Sequence, residues 1–242
     1  MRILISNDDG VYSPGIAALA KLATEFGEVR LVAPDFEQSS MGQAISTRPL
    51  SYRRARIGPF EAFRVNGTPS DCVALGIHHW AKVDVVLSGI NQGLNLGNAS
   101  WHSGTLAAAK QAALFGVRGI ALSAPSIEEH GDYDLLIPFA RRVLDTLLTR
   151  KPSATLHNVN FPLSPRGIMW TKQSVRHYEG RVIPDEDPYG RTVYWFAAMP
   201  IEAVEPGTDR WALAEDLVSI TPLRLDLTDQ QCLAEDTKRL AF

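Results

Sequence analysis

The sequence lacks several features that define large classes of protein. Its 242 residues include only two cysteines, Cys72 and Cys232, and neither has a partner at metal-ligand spacing, so the sequence indicates neither a disulfide framework nor a zinc site. Its longest apolar stretches, such as Val83 to Leu87, fall far short of the ~20 residues that a membrane-crossing helix needs. No secretory leader is recognisable before the first polar motif. We therefore expect a cytoplasmic protein that does not associate with a membrane.

A surplus of positive charge is also missing. The chain carries 24 Lys and Arg residues against 27 Asp and Glu residues, for a formal charge of -3. A protein that holds a nucleic-acid backbone needs such a surplus to displace its counterions, so DNA is not an expected partner. The chain length and the 45% of apolar residues are typical of a globular protein with one sizeable core.

The standard motifs of several enzyme classes are absent as well. The chain has no G-x-x-x-x-G-K-[ST] sequence, and no G-x-G-x-x-G that follows a strand and is followed by a ribose-binding acid. It also has no H-E-x-x-H and no G-x-S-x-G sequence. These absences argue against a Walker-type NTPase, a Rossmann dehydrogenase, a metalloprotease of the standard kind and a serine hydrolase.

Short apolar runs alternate with helical patterns through the first two thirds of the chain, which is typical of βαβ units and a parallel sheet. Several of the runs are apolar nearly throughout, so we expect helices on both faces of that sheet. The predicted strands are Arg2 to Ser6, Val29 to Ala33, Val83 to Ser88, Arg118 to Ser123 and Leu156 to Asn160, with two short pieces at Leu50 to Arg54 and Ala62 to Val65. The predicted helices begin at Pro14 after a Ser13 cap, at Thr68-Pro69 and at Ser103-Gly104, and a fourth lies between Leu136 and Leu147.

The pattern changes after Phe161-Pro162, so we divide the chain into a core of residues 1–162 and a β-rich and helical region of residues 163–242. We expect this second region to carry little catalytic chemistry and to serve assembly, with the option of exchanging elements with another subunit. Its predicted elements are antiparallel strands at Gly167 to Ser174 and Val193 to Ala198, a turn-rich connection at Asp185 to Gly190, a strand at Val218 to Leu225 and a terminal helix.

Two adjacent carboxylates, Asp8 and Asp9, come directly after the first predicted strand. Because Gly10 and Pro14 break the strand there, both side chains are able to converge at the carboxyl end of the sheet, where open α/β folds bind ligands. Two carboxylates about 4 Å apart repel each other by ~1 kcal/mol in water and ~4 kcal/mol at an effective dielectric constant of 20, so a hard divalent cation between them is favourable. A simple role in capping the next helix or a turn is the alternative.

A second polar segment, Ser88 to Asn98, follows a buried strand and is rich in glycine and asparagine. The residues Trp101 to Thr105 then lead into a helix, whose free amide groups favour an anion such as phosphate. Long ordered loops between core elements are usually functional, but a simple connecting loop is the alternative.

Five separated motifs, taken in chain order over roughly the first 125 residues, resemble those of the SurE family, the stationary-phase survival protein nucleotidases. They are Ile3 to Gly10 with Pro14-Gly15, then Ala33 to Asp35 with Ser39, then Asn66 to Pro69 with Asp71-Cys72, then Ser88 to Asn91 with Gly93 and Asn95 to Gly97, and finally Ser103 to Thr105. A later strand, Ser219 to Leu223, is also similar to the family pattern.

The resemblance implies an α/β fold with a Rossmann-like, doubly wound, mostly parallel sheet and a β-rich C-terminal appendage that takes part in dimer or tetramer assembly. It implies a divalent-metal-dependent phosphatase, with Mn or Mg, that hydrolyses nucleoside 5'- and 3'-monophosphates, with short polyphosphate as a further substrate. Asp8 and Asp9 would be the catalytic residues. The implied metal ligands are Asp8, Asp9, Ser39 and Asn91, and the implied phosphate-binding residues are Asn95, Ser103, Gly104 and Thr105, with Asn66 to Pro69 nearby.

Two positions depart from the family pattern. Ser39 is followed by a second serine, Ser40, and His102 stands where many family members have tyrosine, so a role for His102 in binding a base or a leaving oxygen stays open. The sequence does not decide whether an aspartate acts as base or nucleophile. A noncatalytic nucleotide or sugar-phosphate binding module is the alternative function, and a phosphatase of the haloacid dehalogenase type, which expects Asp-x-Asp rather than adjacent acids, is a third.

Overall fold

The computed structural model describes residues 1–126, 133–149, 155–175, 178–201 and 203–240. Within these residues, nine strands form one sheet: β1 (Arg2–Ser6), β2 (Glu28–Pro34), β3 (Tyr52–Ile57), β4 (Phe60–Val65), β5 (Val85–Gln92), β6 (Arg118–Ala124), β7 (Leu156–Asn160), β8 (Gly167–Trp170) and β11 (Leu217–Leu223). The strands β9 (Tyr178–Glu186) and β10 (Thr192–Pro200) form a separate hairpin. The helices are α1 (Pro14–Ala23), α2 (Pro69–His79), α3 (Gly104–Leu114), α4 (Ile137–Thr149), α5 (Asp209–Ala214) and α6 (Gln230–Leu240), with a short 3-10 helix at Gly97–Trp101.

The strand order of the large sheet is β3-β4-β2-β1-β5-β6-β7-β11-β8. The six strands from β4 to β7 in this order are parallel to one another, whereas β3 pairs antiparallel with β4 and β11 pairs antiparallel with β7. The prediction of a Rossmann-like, mostly parallel α/β sheet is therefore confirmed.

Helices cover both faces of the sheet. Core residues of α1 and α4, such as Leu19 and Val143, pack on one face, and those of α2 and α3, such as Val73 and Ala108, belong to a cluster on the other face. This double coverage explains why the central strands are apolar on both sides. In the described part of the chain, no helix combines the length and the apolarity that a membrane crossing demands.

Local chemistry explains two of the helix starts. A capping box opens α2, because the Thr68 hydroxyl accepts a hydrogen bond from the Asp71 amide and the Asp71 carboxylate accepts one from the Thr68 amide. Ser13 occupies the position before Pro14 as predicted, but its side chain does not cap α1. Its hydroxyl instead accepts a hydrogen bond of 2.7 Å from the side chain of Asn7.

The region after residue 162 is not confined to a separate layer, because two of its strands, β8 and β11, extend the main sheet. The predicted strand at Gly167 is parallel to its neighbour β11 rather than antiparallel. The predicted turn-rich connection at Asp185 to Gly190 is present but begins two residues later, since Asp185 and Glu186 belong to β9. Strand β9 is charged, contains a proline and is exposed on both faces, so it has no apolar alternation that would identify it from sequence.

A topological switch point lies between β1 and β5. The chain leaves β1 through α1 toward β2 on one side, and it leaves β5 through α3 toward β6 on the other side. The loops that follow β1 and β5 therefore diverge and leave a crevice at the carboxyl edge of the sheet, which is where ligands bind in open α/β folds.

Candidate functional site

Asp8 lies in this crevice, against the start of α3. Asp8 is 4% exposed, and its Oδ1 accepts a hydrogen bond of 2.6 Å from the Thr105 hydroxyl. Gly104 makes this close approach feasible, because a Cβ atom at position 104 would lie 2.7 Å from the Cβ and 2.9 Å from Oδ2 of Asp8. The first turn of α3 is thus shaped around the Asp8 carboxylate.

Asp9 is the neighbouring carboxylate and is less deeply buried. Its Oδ2 accepts a hydrogen bond of 3.3 Å from the backbone amide of Gln92, which links the end of β1 to the end of β5. Burial and, next, the charge of Asp8 raise the pKa of Asp9 to about 6. Burial also raises the pKa of Asp8, although hydrogen bonds from Thr105 act in the opposite direction. Neither aspartate caps α1, so the alternative of a simple capping role does not apply there.

The described lining of the site offers no basic side chain to balance the charge of this aspartate pair. Among the described residues, none of those that line the two cavities at this site is lysine or arginine. A third carboxylate, Glu37, instead raises the pKa of both Asp8 and Asp9 further. The described residues contain no cluster of three or more His, Cys, Asp or Glu side chains arranged to hold a metal. An oxygen-only set with two carboxylates nevertheless suits a hard divalent cation, which would compensate their charge.

Ser39 and Asn91, the other two predicted metal ligands, lie on the same crevice. Both line a cavity of about 510 Å³ together with Asp8, and Ser39 also lines an adjoining cavity of about 410 Å³ together with Asp9. The hydroxyl of Ser39 donates a hydrogen bond of 2.6 Å to Glu37. The side-chain amide of Asn91 donates one of 2.7 Å to the carbonyl of Gly93, and the side-chain oxygen of Asn91 is the atom that suits a cation.

Asn95 is held by buried polar contacts on several sides. Its backbone amide donates to Oδ1 of Asn160 at 2.8 Å, and its carbonyl accepts from the side-chain amide of Asn158 at 2.7 Å. Its own side-chain amide donates to Ser123 at 2.8 Å and to Thr105 at 3.4 Å. The segment after β5 is therefore anchored to β6, β7 and α3, rather than being an unsupported connecting loop.

The four predicted phosphate-binding residues divide into two groups. Asn95 and Ser103 line the larger cavity, and the Ser103 hydroxyl also caps α3 by accepting a hydrogen bond from the Leu106 amide. Thr105 is fully buried, its hydroxyl donates to Asp8, and it is not among the residues that line the cavity, so its role in phosphate binding stays a prediction. Gly104 also packs directly against Asp8 and is not among the residues that line the cavity. The predicted helix start at Ser103-Gly104 did not indicate which positions of its first turn are buried against Asp8.

The Asn66 to Pro69 motif has a structural role in the described contacts. The side chain of Asn66 accepts a hydrogen bond from the Ser51 amide, and the Thr68 hydroxyl donates one to the Ala44 carbonyl. These bonds hold the segment between β2 and β3, which carries Ser39.

His102 is exposed and lines the larger cavity. A role for His102 in binding a base or a leaving oxygen would therefore involve a ligand in that cavity.

Several residues at the site were missed from sequence. Asn158 and Asn160 alternate with apolar residues in a fully buried strand, and polar residues at that spacing are a signal that could have identified them. Glu37 had no such signal, because it lies in a segment without periodicity. Tyr178 and Phe196 also line the larger cavity, although they belong to the region that was expected to carry little chemistry.

Fold and site together define an α/β protein with a carboxylate pair and an anchored, asparagine-rich loop at the switch point of its sheet. The profile of the family described as "Survival protein SurE" matches residues 3–180. The chain is 45% identical over 234 residues to the 5'-nucleotidase SurE 1 of Thermus thermophilus, covering 94% of this chain and 93% of that protein. It is 40% identical to the 5'-nucleotidase SurE of Deinococcus radiodurans over 249 residues, covering 99% and 92% of the two chains.

The fold comparison agrees with the sequence comparisons. A crystal structure of the Sure protein from Aquifex aeolicus aligns with a TM-score of 0.84 at 36% identity, covering 99% of each chain. The chain belongs to the SurE family.

Proposed function

We propose that this protein is a divalent-metal-dependent phosphatase that hydrolyses nucleoside 5'-monophosphates, with activity also toward 3'-monophosphates and short polyphosphate. The names of the Thermus and Deinococcus relatives support the 5'-nucleotidase activity. The observation that carries the proposal is the pair of buried Asp8 and half-buried Asp9, which lies in a crevice whose described lining has no basic side chain. Because the two carboxylates repel a further negative group, such a site needs a bound cation before it is able to accept the phosphate group of a substrate.

The residues that would hold the cation, Mn or Mg, are Asp8, Asp9, Ser39 and Asn91. When bound, such an ion acts as a Lewis acid on a phosphate oxygen and lowers the pKa of a bound water. Asp8 is kept in position by the Thr105 hydroxyl. Asn95 and Ser103 line the same cavity, and the Ser103 hydroxyl, which accepts from the Leu106 amide, is able to donate its own proton to the phosphate. Fixed donors of this kind stabilise developing charge without reorganising during the reaction.

A substrate panel tests this function. Phosphate release would be measured from nucleoside 5'- and 3'-monophosphates, short polyphosphate and ribose 5-phosphate, after chelator treatment and after addition of each metal. We expect Asp8→Asn to lose release at saturating metal. The control is Asp145→Asn, which alters an exposed carboxylate on α4 and should keep the wild-type rate. Inactivity of the wild-type protein on every substrate would refute the enzyme and favour a noncatalytic binding module, and a trapped aspartyl phosphate would favour a covalent mechanism.

We further propose that residues 163–242 serve assembly into a dimer or tetramer. The β9–β10 hairpin supports this, because Ile183, Trp195 and Met199 lie on one of its faces and are all exposed. Contiguous exposed apolar groups commonly mark a protein interface. Light scattering of the wild-type protein and of Trp195→Glu would test it: a smaller assembly is expected for the variant, and a monomeric wild-type protein would contradict it.

A further inference from the structure

The larger cavity has two chemically different ends. The end formed by the loops after β1 and β5 is polar and carries Asp8, Asn91 and Asn95. The other end is formed by the hairpin, through Tyr178 and Phe196 with Ala198. One cavity of about 510 Å³ joins them, which is in the size range of small-molecule sites.

The two aromatic residues share one face of the hairpin. Strands β9 and β10 pair so that Gly180 is opposite Ala198 and Val182 is opposite Phe196, which puts Tyr178, Gly180, Phe196 and Ala198 on the same side. The rings of Tyr178 and Phe196 lie edge to face, with centroids 6.2 Å apart and an interplanar angle of 86°. The apolar residues Ile183, Trp195 and Met199 are on the opposite face.

Because Gly180 has no side chain, the ring of Phe196 is able to pack directly over its backbone. A Cβ atom at position 180 would be 2.7 Å from Cζ and 2.8 Å from Cε2 of that ring. Any side chain at this position would push the ring out of its place. Phe196 is nevertheless 67% exposed, so it leaves surface available to a ligand.

We propose that Phe196 and Tyr178 form the base-binding end of the site, on which the nucleobase of a nucleoside monophosphate stacks while its phosphate occupies the polar end. This rests on the function proposed above. A nucleobase is the occupant that fits, because it is a flat ring tethered to the phosphate and the aromatic side chains line the same cavity as the phosphate-binding residues. Stacking uses the face that every base has, so this end selects nucleotides over simple phosphate esters and accepts purines and pyrimidines alike.

The test compares substrates that differ only in the base. The ratio of kcat/KM for 5'-AMP or 5'-CMP to kcat/KM for ribose 5-phosphate would be measured at saturating metal for the wild-type protein, Phe196→Leu, Tyr178→Leu and Gly180→Ala. Stacking is worth about 1–3 kcal/mol per base, so we expect each leucine variant to lower the ratio roughly 5- to 150-fold. Gly180→Ala should lower it as well, although it retains both rings.

Tyr194→Leu is the matched control, because Tyr194 is an exposed aromatic residue on the same face of β10 but does not line the cavity. We expect it to keep the wild-type ratio. An unchanged ratio in both Phe196→Leu and Tyr178→Leu would overturn the base-binding assignment even if the protein is an active phosphatase.

Failure of the proposed function is recognised separately, by a wild-type protein that releases no phosphate from any of these substrates. In that case calorimetry with 5'-AMP and ribose 5-phosphate decides the assignment. Tighter binding of 5'-AMP that is lost in Phe196→Leu supports it, and equal affinity for the two ligands overturns it.

Discussion

Replacing Asp9 by asparagine should stabilise the metal-free protein against unfolding and should weaken metal binding at the site. Burial and the adjacent Asp8 raise the pKa of Asp9 from its usual 3.8 to about 6, so ionisation of this carboxyl opposes folding. At 1.36 kcal/mol per pKa unit the penalty reaches about 3 kcal/mol at pH 8. Because Asp9 retains some contact with water, we expect Asp9→Asn to gain about 1–3 kcal/mol in the free energy of unfolding at that pH. The asparagine oxygen is still able to accept the hydrogen bond from the Gln92 amide.

The pH dependence follows from the direction of the shift. A carboxyl whose pKa is raised on folding contributes its full share of stability below the unfolded-state pKa, and that share is lost as the pH rises through the folded-state pKa. The advantage of Asp9→Asn should therefore grow between about pH 4 and pH 7, with no more than about 0.5 kcal/mol remaining at pH 4.

Urea unfolding at several pH values, in excess chelator, measures this difference. Mn or Mg at 1,000 times its Kd should reverse the order of stability, because a ligand at that concentration stabilises the folded wild-type protein by about 4.1 kcal/mol. Asp145→Asn is the control and should change stability by less than about 0.5 kcal/mol. A metal-free Asp9→Asn protein that is no more stable than wild type at pH 8 would refute the reasoning about an uncompensated carboxylate pair.

Substitutions at three further positions test the residues that position the site. Gly104→Ala should lower kcat/KM for 5'-AMP by about 100-fold while the circular dichroism spectrum is unchanged, because the added methyl group displaces the Asp8 carboxylate; a wild-type rate would contradict this contact. Thr105→Val removes the hydroxyl that stabilises ionised Asp8, so the acidic limb of the pH-rate profile should move to higher pH, whereas Thr105→Ser should restore it. Asn160→Ala leaves the Asn95 amide without its partner and should cost about 1–3 kcal/mol in urea unfolding and weaken inhibition by inorganic phosphate; unaltered inhibition would show that Asn160 does not position Asn95.

Local sequence patterns predicted the parallel core well because each signal is physical and short-range. The uniformly apolar strands, Pro14 and Pro69 at helix starts and Gly104 after the Ser103 cap all mark their elements without reference to the rest of the chain. The order of the strands across the sheet, and hence the crevice between β1 and β5, follows from long-range pairing that such signals do not contain.

The candidate site was predicted only where its residues form motifs in the sequence. Asp8, Ser39, Asn91 and Asn95 are brought to one cavity, in agreement with the motif interpretation. Buried positions within a motif were harder to assign, as with Thr105, which supports Asp8 instead of facing the cavity. Side chains that reach the site from distant segments of the chain belong to no motif, so no local sequence signal identifies them.

Two such groups illustrate the limit. Asp209 lies more than 100 residues from the loop it holds, where its carboxylate accepts a hydrogen bond of 3.0 Å from the Gly97 amide. Phe196 reaches the cavity from a hairpin whose first strand, β9, has no apolar alternation. In both cases tertiary packing, not local preference, determines the contact.

Phosphate release from 5'-AMP by chelator-treated protein, followed as Mn or Mg is added back, tests the central claim most directly. We predict no release in excess chelator, a saturable return of activity with metal in the wild-type protein, and no return in Asp9→Asn. Release that persists undiminished in excess chelator, or a wild-type rate for Asp9→Asn at saturating metal, would contradict the account.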